Sequence, residues 1–170
     1  MGVDEARARF LVVLIEKYTG KNDRILEVGS REGDNLVSLW KAGFKNLAGI
    51  EDNVEKVAVF NERHDEIAER IDVTVGHIED LVHGLPDEAF DVVLTVGFLF
   101  DRKGDYAWLS PELARICSRR LVSIEYESPA SLKGAYEKSG MKEIEAIDIS
   151  AVTEMNSVFY ARVFEKVNPS

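Results

Sequence analysis

The sequence predicts an α/β fold: a doubly wound sheet of about seven strands, mostly parallel, with a C-terminal antiparallel pair and helices on both faces. Three observations carry this prediction. Short apolar runs alternate with helical periodicity along most of the chain, and a glycine-containing turn follows the first run. The last two strand-like segments, Lys142–Ile149 and Ser157–Lys166, have no helix-length segment between them. Alternating strands and helices imply parallel strands covered on both sides, whereas strands joined without a crossover pair antiparallel.

Asp4–Tyr18 carries Phe10, Leu11, Leu14 and Ile15 at helical spacing and stops at Gly20. Arg24–Val28 is the first strand, and Asn35–Lys41 then puts Leu36, Leu39 and Trp40 on one helical face. Asn46–Ile50 is the second strand, with Asn53 as cap of a helix through Glu66. Ile71–Val75 alternates, and Phe90–Val96 is apolar almost throughout. Ser110-Pro111 and Ser128-Pro129 both have the form of helix starts, Ser capping and Pro taking the first helical position. Between them Arg120–Glu125 reads as a strand, and Ala130–Ser139 is a helix closed by Gly140. In the terminal pair, Ile147 and Ile149 share one face while Ile144 and Ala146 share the other.

The 170 residues and 19.1 kDa suit one domain spanning 1–170, with no linker or repeat dividing it. Neither a membrane span nor a secretory signal is expected, because the early apolar run Phe10–Ile15 is cut short by Glu16-Lys17. Cys117 stands alone, which excludes an internal disulfide and a cysteine-based zinc site and fits a reduced, cytoplasmic setting. His64, His77 and His83 form no metal-ligand pattern, so no metal is expected. A net charge of −10 disfavours nucleic acid without excluding it, since such affinity comes from Lys and Arg replacing counterions. The locally basic stretch Asp101–Arg120, with Arg102, Lys103, Arg115, Arg119 and Arg120, reads as a solvated helix face or an acceptor-binding patch. Oligomeric state is not legible.

In a doubly wound sheet, ligands bind beyond the carboxyl ends of the strands. The turn there is Glu27-Val28-Gly29-Ser30-Arg31-Glu32-Gly33-Asp34-Asn35. Glycines at its ends permit positive φ and close approach of a ligand to the backbone. Glu27, Glu32, Asp34, Glu51 and Asp52 all fall in or beside the turns that line the crevice. One carboxylate ~6 Å from a phosphate charge repels it by ~3 kcal/mol at an effective dielectric of ~20. A pyrophosphate is therefore poorly served, and the spacing misses G-x-G-x-x-G as well. A nucleoside carrying positive charge and no phosphate suits the acids better.

These residues resemble the class I S-adenosylmethionine-dependent methyltransferases, a Rossmann-like family. Glu27, Gly29 and Gly33 match its first motif, and Gly49-Ile50-Glu51 its second, with Glu51 18 residues after Gly33. The resemblance continues through Gly76-His77-Ile78-Glu79-Asp80-Leu81 and Phe90-Asp91-Val92-Val93-Leu94-Thr95, from about Asp23 to Lys166. It implies S-adenosyl-L-methionine as cofactor, with Glu51 on the ribose hydroxyls and Glu27 near the methionine ammonium. Gly29, Ser30, Arg31, Gly33, His77, Ile78 and Val96 complete the implied cofactor side. Arg31 replaces the family's middle glycine, so either the turn is wider or Arg31 reaches the cofactor carboxylate. His77 stands where many members have an acid for the adenine amino group. Asp80 or the backbone at Ile78 is then the alternative partner.

The implied reaction is in-line methyl transfer to a small-molecule acceptor. No Asn-Pro-Pro-Tyr-type signature for nucleobase amines is present; Val96-Gly97-Phe98-Leu99 holds that place. Asp101, Tyr106 and Glu125 are acceptor-side candidates by location alone, and Trp108 is a candidate wall of the acceptor pocket. Two competing readings are a non-catalytic module that binds S-adenosylmethionine or a nucleoside, and a dinucleotide-dependent oxidoreductase, which the acidic turns disfavour.

Overall fold

The computed structural model describes residues 3–99, 108–126, 132–153 and 159–167. Its strands are β1 (Ile25–Val28), β2 (Leu47–Glu51), β3 (Asp72–Val75), β4 (Phe90–Val96), β5 (Cys117–Tyr126), β6 (Met141–Asp148) and β7 (Phe159–Lys166). They form one sheet in the order β3-β2-β1-β4-β5-β7-β6. β1 to β5 run parallel, while β7 lies antiparallel to both β5 and β6. The chain builds outward from β1 to β3, then returns to β4 on the other side of β1. The turns after β1 and β4 are thereby neighbours at the point where the strand order reverses.

Alternation along the strands feeds two apolar layers. Ile25, Leu47, Val92, Leu94, Val122 and Ile124 pack with α1 (Val3–Tyr18), α2 (Asp34–Lys41) and α3 (Val54–Arg63). Leu26, Val28, Ile50, Val93 and Leu121 pack with α5 (Ile78–Gly84), α6 (Leu109–Ile116) and α7 (Leu132–Lys138). β1 and β4 are largely apolar, interrupted by Glu27 in β1 and by Asp91 and Thr95 in β4, as suits strands covered on both faces. At the amino end, Arg24 binds Asp91 through its backbone N–H at 2.8 Å and its guanidinium at 3.2 Å, and the guanidinium holds the Asp91 carboxyl below its ordinary range.

Several expectations need correcting. The helix capped by Asn53, whose side chain accepts from the backbone of Glu55 and Lys56, does not reach Glu66. His64 leaves helical geometry at φ −129°, its ring turned toward Asp34 and Phe60, and a short α4 (Asp65–Ala68) follows. His64 is thus half-buried. Ser110 does not cap α6: the N-cap position falls to Trp108, which makes no side-chain cap bond, and Ser110 is buried in the first turn. Pro111 stays within that first turn, where no N–H partner is needed. The segment Ile78–Gly84 is a helix that short length and a terminal glycine conceal; Ile78 and Val82, four residues apart, are its buried face. Ser128-Pro129 lies outside the described residues.

Among the described residues of the basic stretch, the arginines are engaged in ion pairs. Arg115 pairs with Glu112 and Asp87, Arg119 with Asp23, and Arg120 with Glu165; Arg119 and Arg120 belong to β5. Arg102 and Lys103 lie outside the described residues. Among the described residues no helix is long and apolar enough to cross a membrane.

Candidate functional site

The turn after β1 is built on left-handed backbone. Gly29 has φ 76° and Gly33 has φ 74°, and a Cβ at either would drive into an aromatic ring, Phe98 over Gly29 and Phe60 over Gly33. Arg31, at the middle position, also has φ 51°. Such a conformation costs a non-glycine residue about 1–2 kcal/mol. The Gly33 N–H closes the turn on the Ser30 carbonyl at 2.9 Å. The Gly29 and Ser30 N–H groups both donate to the Ile50 carbonyl, at 2.8 and 3.2 Å.

Glu51 fixes the strained residue. Its carboxylate is 3% exposed at the end of β2, accepting from the Arg31 N–H at 2.8 Å through Oε2 and from the Asn53 N–H at 3.0 Å through Oε1. A carboxylate offers about four lone-pair sites, so each oxygen can accept once more. Glu27, 1% exposed, accepts from the Asn35 side-chain amide at 2.7 Å through Oε1. Among the described residues its Oε2 has no hydrogen-bond partner, and neither has the buried Ser30 Oγ. Burial pushes the Glu27 carboxyl up to about 8; Asn35 and Arg31 oppose that shift, while Glu51 and Asp34 add to it.

The turn after β4 is tied to this one. Arg31 does not point away: its Nη2 donates to the Gly97 carbonyl at 3.1 Å, so the guanidinium spans the two turns. Gly97 is itself left-handed, with φ 61°. The N–H groups of Phe98 and Leu99 donate to the two oxygens of Glu125, each at 3.2 Å. Glu125 is 2% exposed. Alternation from Leu121 places it on the α5–α7 side of the sheet, opposite Glu27 and Glu51.

Of the other candidates, Val96 ends β4, half-buried, and Ile78 is the buried first residue of α5. His77 is exposed at the N-cap of α5 and makes no side-chain cap bond. Asp80 is exposed in the first turn. Asp101 and Tyr106 lie outside the described residues. Trp108 packs on the α5–α7 core with its ring 5.8 Å from that of His83 in α5. Cys117 is buried, and burial pushes its thiol up to about 11. Among the described residues no group of three or more His, Cys, Asp or Glu could hold a metal ion.

Asn35 was not singled out from sequence. The signal available was the need of a buried strand-end charge for a partner, with an amide waiting in the first turn of the next helix. Phe98 was named only by its place after the fourth strand.

The site is thus a crevice with two buried carboxyl groups, one of them fixing a left-handed turn beside it. A family model described as a methyltransferase domain matches residues 26–120. The chain belongs to that family, whose methyl donor is S-adenosyl-L-methionine. No curated protein matches the sequence. Among solved structures, the chain is similar to geranyl diphosphate C-methyltransferase from Streptomyces coelicolor A3(2), determined with Mg2+, geranyl diphosphate and S-adenosyl-L-homocysteine. The TM-score is 0.74 at 13% identity, covering 96% of this chain and 77% of that one. Magnesium protoporphyrin IX methyltransferase from Synechocystis PCC 6803, with its cofactor bound, gives 0.73 at 13% identity and the same coverages, 96% and 77%. The [4+2]-cyclase SpnF gives 0.77 at 14% identity, covering 95% of this chain and 82% of that one. At such identities the likeness is one of fold, and the cyclase shows the fold serving another named reaction.

Proposed function

We propose that this protein is an S-adenosylmethionine-dependent methyltransferase acting on a small-molecule acceptor, with 1–170 as a single domain. The observation that carries the reading is the pair of buried carboxyl groups at the ends of β1 and β2, on either side of the left-handed turn. Glu51 has acceptor capacity left for the two ribose hydroxyls, and Oε2 of Glu27, without a partner among the described residues, suits a protonated amine. The residues present therefore fit S-adenosylmethionine. Gly29, Ser30, Arg31 and Gly33 would line its methionine and ribose side, and His77, Ile78 and Val96 the remainder.

When bound, the cofactor supplies a methyl group on a sulfonium that already carries its own leaving group. The chain's task is alignment and exclusion of water. Glu51 holds the turn in one conformation through Arg31, and Phe98 closes over Gly29 from the β4 side. Glu125 has both oxygens engaged by backbone N–H groups, which argues for a role in holding the loop rather than in taking a proton from an acceptor. A small acceptor is supported by relatives of the same fold that are named for geranyl diphosphate and magnesium protoporphyrin IX. The net charge of −10 argues against nucleic acid.

The test is thermal stability with S-adenosylhomocysteine and with a nicotinamide dinucleotide, followed by methyl transfer from labelled S-adenosylmethionine to candidate acceptors. A ligand at ~100 times its Kd adds ~2.7 kcal/mol. Stabilisation by the nucleoside alone is expected. Stabilisation by the dinucleotide alone overturns the reading, and cofactor binding with no transfer to any acceptor points to a binding module.

A further inference from the structure

We propose that Glu125 is a positioning residue for the cofactor turn, acting through the loop after β4 from the opposite face of the sheet. The inference rests on the reading that the crevice takes S-adenosylmethionine. Three contacts carry it. Glu125 captures two successive N–H groups, those of Phe98 and Leu99, directly after left-handed Gly97. Consecutive N–H groups in such a turn form a concavity suited to an anion, and here the chain's own carboxylate fills it. The captured segment carries the ring that packs on Gly29 and the carbonyl that receives Arg31.

The geometry follows from these contacts. Glu125 sets residues 97–99; their position sets Phe98 against Gly29 and gives the Arg31 guanidinium its acceptor. Arg31 is held at its other end by Glu51, through its backbone N–H. The β1 turn, the β4 turn and the end of β5 thus form one connected unit. Arg31 gains a purpose at a position where the family has glycine: it straps one turn to the other. Loosening Glu125 frees the turn that faces the cofactor, without any contact between Glu125 and the cofactor.

The experiment measures S-adenosylhomocysteine affinity by calorimetry for the unmodified protein, Glu125→Gln, Arg31→Ala and the double variant. It adds hydrogen exchange of the 97–99 amides with and without that ligand. Glu125→Gln keeps the shape but turns an N–H group toward one of the two donors. We expect affinity about tenfold weaker, the scale of one lost charge-assisted hydrogen bond. The two substitutions should be less than additive, and ligand-induced protection at Phe98 and Leu99 should disappear in both single variants. Arg31→Ala, an exposed side chain, keeps the test valid should Glu125→Gln fail to fold, because its loss of protection at residues 98 and 99 reads the strap directly. A lowered Tm with unchanged affinity and retained protection would reduce Glu125 to a structural residue and overturn the proposal. An unmodified protein that does not bind the ligand overturns the cofactor reading and this inference together; binding by the unmodified protein with unaffected variants overturns this inference alone.

Discussion

Asn35 donates its side-chain amide to one oxygen of Glu27 at 2.7 Å, and the other oxygen of that carboxyl, buried as well, has no hydrogen-bond partner among the described residues. Half-satisfied burial is why the group holds its proton up to about pH 8. Between the ordinary carboxyl value and about 8, the folded state keeps a proton that the unfolded chain has released. Stability must then fall as pH rises through that window. Glu27→Gln removes the titration, so its Tm relative to the unmodified protein should climb from pH 5 to pH 9. A difference independent of pH would contradict the burial argument.

A cation brought beside Glu27 stabilises its charged form and draws the proton off. Binding of S-adenosylmethionine near neutral pH should therefore release close to one proton. Calorimetry in buffers of different ionisation enthalpy measures the number, and Glu27→Gln should bring it near zero. Equal proton release by both proteins would place the ammonium elsewhere.

From sequence, Glu51→Ala is expected to weaken cofactor binding by ~1.5–3 kcal/mol with little effect on the fold. The structure revises the second half. Glu51 accepts from the Arg31 and Asn53 N–H groups, and losing it leaves both without that partner. The variant should lose ~1–3 kcal/mol of stability as well, with Arg31 released from its left-handed conformation. Denaturant unfolding and cofactor titration of the same sample separate the two effects.

Gly33 combines φ 74° with a Phe60 ring where a Cβ would go. Gly33→Ala should cost about 2–4 kcal/mol, from the conformation and the overpacking together. If the ring is part of the cause, Phe60→Leu in the same chain should recover some of that loss. Strict additivity of the two substitutions would assign the whole cost to the backbone.

The sequence by itself determined the alternation of layers and the antiparallel finish. These rest on local periodicity and turn chemistry, which neighbouring residues encode: Phe90–Val96 is apolar almost throughout, and Asn53 caps its helix from where it stands. Glu27 and Glu51 were also legible, because a charge at the end of an apolar strand is conspicuous. What those charges touch was not. Glu51 reaches Arg31 across 20 residues of sequence, Arg31 reaches Gly97 across 66, and Glu125 reaches Phe98 across 27. Only the parallel order that sets β1 between β2 and β4 brings those turns together, so a substitution that reads as a lost glycine at position 31 becomes a strap between them. For the same reason Arg119 and Arg120 find their acids in Asp23 and Glu165, on a turn and a strand that periodicity alone cannot make neighbours.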